Sequence, residues 1–207
     1  EFADIRYNLL SGRPEWHGKP WDDECLSRIL HIIENEYALK SEGDLNHALK
    51  ILWNLNTYHP IRDRIKELRW DGESRIESFL TEIMECDDSD YVRECSRLIF
   101  HCGIARIFEP GCKADDIIVL QGKQGNGKTT VTQWLALEDG WYGRVSDIRG
   151  NVGIEQIQGK WICEISELLA LNSSEKQEEA KQYFDRRYDT YRKPYSIYPS
   201  DIPRQCI

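Results

Sequence analysis

The sequence predicts an α/β fold, with an α-helical module ahead of a core of parallel strands. Three observations predict it. Apolar residues recur at helical spacing through residues 20–110. Beyond them a short apolar run, Ile117-Ile118-Val119-Leu120, leads into a glycine-rich loop and then a helical pattern. A second apolar run, Trp161-Ile162-Cys163-Glu164-Ile165, reads as another buried strand.

Residues 1–20 are expected to be irregular, because Gly12, Pro14, Gly18 and Pro20 break any regular pattern. A first helix starts at Asp22, with Leu26, Ile29, Leu30, Ile33 and Tyr37 on one stripe and Asp22 or Asp23 as its cap. Asp44 is read as the cap of a second helix carrying Leu45, Ala48, Leu49 and Leu52. Pro60 suits the first turn of a third helix, with Ile61, Ile65 and Leu68, which ends in the turn Trp70-Asp71-Gly72. Ile76, Phe79, Leu80 and Ile83 form a fourth stripe. Val92, Cys95, Ile99 and Cys102 form a fifth, which ends near Pro110-Gly111. After the glycine-rich loop a helix is expected from Thr129 to Leu137, and a charged amphipathic helix from Ser173 to Asp185. Ile202 to Ile207 reads as the approach to a further strand.

The 207 residues are 40% hydrophobic, enough for a packed core. No apolar stretch approaches the roughly 20 residues of a membrane span, so no membrane partner is expected. The start, Glu1-Phe2-Ala3-Asp4, has no signal-peptide pattern and no initiator Met, as in a fragment. Seven scattered cysteines with no Cys-x-x-Cys pair argue against structural zinc and a disulfide framework, and fit a reducing cytoplasm. The five histidines show no metal spacing, and the seven tryptophans are read as packing residues. A net charge of −9 excludes a bulk electrostatic grip on nucleic acid, so any DNA contact needs a local basic patch, concentrated in an oligomer.

Gly122-Lys123-Gln124-Gly125-Asn126-Gly127-Lys128-Thr129 matches the P-loop pattern G-x-x-x-x-G-K-[ST] in full. Such a loop curls its backbone N–H groups around phosphates, which requires glycine, and the helix that follows aims its positive end at the same anion. Lys128 would serve the β- and γ-phosphates of ATP and Thr129 the Mg²⁺ ion, with Thr130 next on the helix. A glycine-rich turn that binds nothing is the plainer alternative, against which the strand–loop–helix context weighs. Residues 113–207 are therefore read as a P-loop NTPase domain whose parallel sheet is truncated at the C-terminus, and 1–112 as the helical module. Acids at the end of a neighbouring strand complete such a site. Glu164 and Glu167 are the candidates, Glu164 as metal ligand and either one orienting the attacking water. Solvated glutamates at a strand end are the alternative.

Tyr183 to Tyr195 interleaves arginines with aromatics, downstream of Lys181. Arginines pair with phosphates and aromatics stack on bases, a pattern suited to single-stranded DNA. Arg187 or Arg192 reaching a γ-phosphate across a subunit boundary is a second reading, and a solvated basic face over packed tyrosines a third.

Several further stretches carry a family resemblance. They are Asn56-Thr57-Tyr58-His59-Pro60-Ile61-Arg62, Leu68-Arg69-Trp70-Asp71-Gly72, Pro110-Gly111-Cys112-Lys113, the loop from Gln121 to Thr130, Gly159 to Leu168, and Asp189 to Tyr195. In this order they resemble the virulence-associated protein E family over roughly residues 44–207. The resemblance implies a phage- or mobile-element-encoded P-loop ATPase, similar to superfamily 3 helicases and often attached to a primase. Such proteins work as rings in DNA replication. The resemblance also implies that Lys181 and residues 186–193 lie near the DNA-facing or inter-subunit part of a homo-oligomeric ring. The family continues into a strand with a γ-phosphate sensor, before which this sequence stops, so weak nucleotide binding and poor hydrolysis are expected of it. Two other functions compete with the motor. One is a nucleotide-regulated interaction module, and the other a small-molecule kinase with arginines over its phosphates.

Overall fold

A computed structural model describes residues 2–37, 41–165, 174–191 and 198–207. The chain is mixed α/β, with several small sheets, and it forms two compact units, Glu1–Leu68 and Arg69–Ile207. No helix among the described residues is long and apolar enough to cross a membrane.

The first unit opens with the strands β1 (Ile5–Asn8), β2 (Arg13–Trp16) and β3 (Lys19–Pro20). Residues 1–20, expected to be irregular, are thus mostly sheet. The breakers sit at its turns. His17 and Gly18 both take positive φ between the paired Trp16 and Lys19, as a two-residue type I′ hairpin requires. Helices α1 (Asp23–Tyr37) and α2 (Glu42–Leu55) follow, and β4 (Thr57–Tyr58) returns parallel to β1 in the sheet order β3-β2-β1-β4. Asp22 caps α1 by accepting from the Cys25 N–H. Ser41, not Asp44, caps α2, and it is the Asp44 N–H that its hydroxyl holds. Ile5, Trp16, Ile29, Leu45 and Leu49 make the core between sheet and helices. Helix α3 (Pro60–Glu67) starts at the expected proline. His59 Nδ1 accepts from Arg62 N–H and Asp63 accepts from His59 N–H, a reciprocal cap.

In the second unit α4 (Phe79–Met84) packs on α5 (Asp90–Phe108) through the edge-on ring pair Phe79–Phe100. Residues 112–123 carry no regular structure. The run 117–120, expected as a buried strand, pairs with no described strand, and Val119 is 65% exposed. Helix α6 (Lys128–Leu135) leads to β5 (Tyr142–Val145), then α7 (Gly150–Ile157), then β6 (Ile162–Ile165). Strands β5 and β6 are parallel, with Tyr142 beside Ile162 and Arg144 beside Glu164. The Ile207 N–H donates to Trp161 O at 2.9 Å and Cys163 N–H donates to Ile207 O at 2.8 Å. Bonds from one residue to partners two apart are the parallel pattern, so Ile207 lies alongside β6 in parallel register.

Helix α8 (Ser174–Phe184) and the antiparallel pair β7 (Tyr188–Tyr191) and β8 (Ser200–Pro203) complete the unit. Asp189 and Arg204 form a buried pair at 2.7 and 3.0 Å, and Arg204 also donates to Tyr183 O. Among the tryptophans, Trp16, Trp141 and Trp161 are buried, whereas Trp70 and Trp134 are exposed, against the packing role expected of all seven.

Candidate functional site

The glycine-rich loop occupies an exposed position ahead of α6. Gly125 and Gly127 take φ of 88° and 72°, left-handed conformations that cost most residues with a Cβ energy. Gly127 is the N-cap of α6 and offers no side chain to its first N–H groups, which leaves the helix end open toward the loop. Lys128 turns back over the loop. Its ammonium donates to Gly122 O at 3.0 Å and Lys123 O at 2.8 Å. The loop therefore closes around a positive charge and the positive end of a helix, an arrangement suited to an anion. Lys123, Gln124, Asn126 and Thr130 are all exposed around it.

Thr129, one residue into α6, meets β6. Its hydroxyl donates to Glu164 Oε1 at 2.9 Å. Two neighbouring ligands of an octahedral Mg²⁺ with bonds of about 2.1 Å lie about 3.0 Å apart. The donor set and the spacing fit that ion, with Thr129 and Glu164 as the residues that would hold it. Among the described residues no group of three or more His, Cys, Asp or Glu forms a metal cluster, so the rest of such a shell would be water and phosphate.

Three residues that the sequence did not point to surround the same carboxylate. The Thr132 hydroxyl donates to Glu164 Oε2 at 2.8 Å and Tyr142 OH to the same oxygen at 2.9 Å. The Arg144 guanidinium lies 3.9 Å from Oε1. Burial alone would raise the Glu164 carboxyl. The bonds from Thr132, Tyr142 and Thr129, with Arg144 beside them, outweigh it and hold the group below its ordinary range. Burial and the anionic neighbour push the Tyr142 phenol up to about 12. Thr132 was within reach of sequence reasoning, since a residue three after Thr129 shares its helix face. Tyr142 and Arg144 were not, because β5 carries no apolar run.

Helix α6 and strand β6 bring Thr129 and Glu164 together, while Lys128 folds back on the loop. Arg187 stands elsewhere, its Nε donating to Gly111 O at 2.6 Å. Glu167 and Arg192 lie outside the described residues. Of the basic and aromatic segment, Tyr183 and Tyr191 are buried, Arg186 lies over the Tyr183 ring at 5.5 Å, and Lys181, Arg186, Arg187 and Tyr188 are exposed.

A family model for the virulence-associated protein E-like domain matches residues 65–207. The chain belongs to this family. The match covers the whole of the second compact unit, so the virulence-associated protein E-like domain includes the glycine-rich loop, α6 and β6. No curated protein matches the chain at a significant level.

Proposed function

We propose that this virulence-associated protein E-like domain is the nucleotide-binding part of a P-loop ATPase, encoded by a phage or mobile element and working as a ring helicase in DNA replication. The observation that carries the reading is the 2.9 Å bond from Thr129 to Glu164, which joins the helix after the loop to the carboxylate of a parallel strand. A glycine-rich turn with no ligand gives no reason for that convergence. The parallel pair β5–β6, and Ile207 alongside it, supports a parallel-sheet P-loop core in residues 113–207.

In this reading the backbone of residues 122–127 cradles the phosphates of ATP, and Lys128 leaves its two carbonyls for the β- and γ-phosphates. Mg²⁺ held by Thr129 and Glu164 would neutralise charge on the same phosphates. Glu164 or Glu167 orients the attacking water. Arg187 or Arg192 serves a neighbouring subunit's nucleotide or single-stranded DNA.

The test is ATP binding and hydrolysis by this chain and by the intact gene product, with and without single-stranded DNA, and with Lys128→Ala as control. The expected result is DNA-stimulated turnover in the intact gene product that Lys128→Ala abolishes, with weaker binding and turnover in this chain. Unchanged nucleotide affinity in Lys128→Ala refutes the P-loop reading. Turnover indifferent to DNA points to the nucleotide switch, and phosphate transfer to an acceptor other than water to a small-molecule kinase.

A further inference from the structure

Glu164 accepts three hydroxyl protons from two elements. Its Oε2 takes two of them, from Thr132 on α6 and Tyr142 on β5. A carboxylate oxygen has two lone-pair sites, so Oε2 is filled. Thr132 Oγ1 also lies 2.9 Å from Thr129 O, but a hydroxyl has one proton, and the ionised carboxylate is the stronger acceptor. Oε1 accepts from Thr129, and the Arg144 guanidinium lies 3.9 Å from the same oxygen.

The terminal torsion of a glutamate is broad and nearly two-fold, so a lone carboxylate would swing. Here it cannot do so without breaking two bonds at once. Thr129 and Thr132 are three residues apart on one helix face and hold one oxygen each. Tyr142 reaches in from the strand beside β6, where its neighbour in register is Ile162, two residues before Glu164.

We propose that Tyr142 and Thr132 are positioning residues that fill one oxygen of Glu164 and aim the other at Thr129, so that the pair is set for Mg²⁺ with nucleotide. The inference rests on the nucleotide-site reading above and names residues which that reading does not need. Hydrogen-bonding partners behind a metal ligand commonly change metal affinity by about 10- to 100-fold.

The experiment is calorimetry of ADP binding to the 207-residue chain across a series of Mg²⁺ concentrations and in EDTA. Wild type is compared with Tyr142→Phe, Thr132→Val and Thr132→Ser. Each change is close to isosteric, and Thr132→Ser keeps the hydroxyl. Tyr142→Phe and Thr132→Val are expected to raise the Mg²⁺ concentration at half-effect by about 10-fold or more. ADP affinity in EDTA should stay at the wild-type value, and Thr132→Ser should behave as wild type. Equal Mg²⁺ midpoints in wild type, Tyr142→Phe and Thr132→Val would overturn the positioning role while leaving the nucleotide site standing. A wild-type chain whose ADP affinity ignores Mg²⁺ would overturn the metal site itself, and this inference with it.

Discussion

Asp189→Asn should unfold the second unit more easily than any surface change, and the size of the loss can be worked from the geometry. Arg204 and Asp189 are 5% and 3% exposed at their side chains. Two of the guanidinium nitrogens reach the carboxylate, Nη2 at 2.7 Å and Nε at 3.0 Å, and Nη1 donates to Tyr183 O at 2.7 Å. The guanidinium also lies over the Tyr183 ring, 4.6 Å from its centre. Asparagine keeps the shape and removes the charge, which leaves Arg204 buried without a counter-ion. Breaking a buried pair in this way costs about 3–5 kcal/mol. A domain has about 5–15 kcal/mol in total, so the loss is about a fifth of it or more. The exposed pair Arg75–Asp71 is the control, where Asp71→Asn should leave stability close to the wild-type value. Replacing both partners, Asp189→Leu with Arg204→Met, should restore most of the loss, because neither charge is then stranded. Urea unfolding followed by tryptophan fluorescence measures the change. Hydrogen exchange at the amides of β7 and β8 assigns it to this unit. A loss below about 1 kcal/mol in Asp189→Asn, or a double variant as unstable as the single one, would refute the reasoning.

Other outcomes follow from the same structure. Glu164 is held below the ordinary carboxylate range, so its contribution is complete above that range and disappears as pH falls through the lowered folded value; thermal melts in acid should show less pH dependence in Glu164→Gln. Tyr142 is pushed up to about 12, so its neutral form favours the fold, and stability should fall as pH rises from its ordinary value toward 12, a loss absent in Tyr142→Phe. Arg106 is 1% exposed, and its Nε and Nη1 have no hydrogen-bond partner among the described residues, whereas Nη2 donates to Ala114 O, so Arg106→Met should be neutral or stabilising in urea unfolding. Gly111 has φ of 78°, and a Cβ there would lie 3.0 Å from Tyr188 Cζ and 3.2 Å from Arg187 O; Gly111→Ala should destabilise by more than about 1 kcal/mol in the same assay.

Helices were legible in the sequence wherever an apolar stripe and a local stop or start signal agreed. α1, α3, α5 and α6 lie within a few residues of their expected positions, because stripe spacing, Pro60 and the glycine-rich loop act within one turn of chain. The strand β6 was legible from its unbroken apolar run, and it carried Glu164 to the candidate site. The small sheet of the first unit was not. Its strands are two to four residues long and hold proline and charged residues, so they show no period, and they exist because β1 finds partners on both sides.

The sequence by itself determined the loop from Gly122 to Thr129, since the glycines, Lys128 and Thr129 act through contiguous backbone and a helix end. It also determined the family, whose motifs recur in order along the chain. Only the tertiary structure decided which carboxylate stands against Thr129, and that Thr132, Tyr142 and Arg144 surround it. It also decided that Asp189, inside a stretch that reads as a charged surface, is buried against Arg204. The reason is distance along the chain. Thr129 and Glu164 are 35 residues apart, and Tyr142 and Glu164 are 22 apart. Contacts at that separation depend on how β5 and β6 pair and where α6 crosses them, which no local spacing encodes.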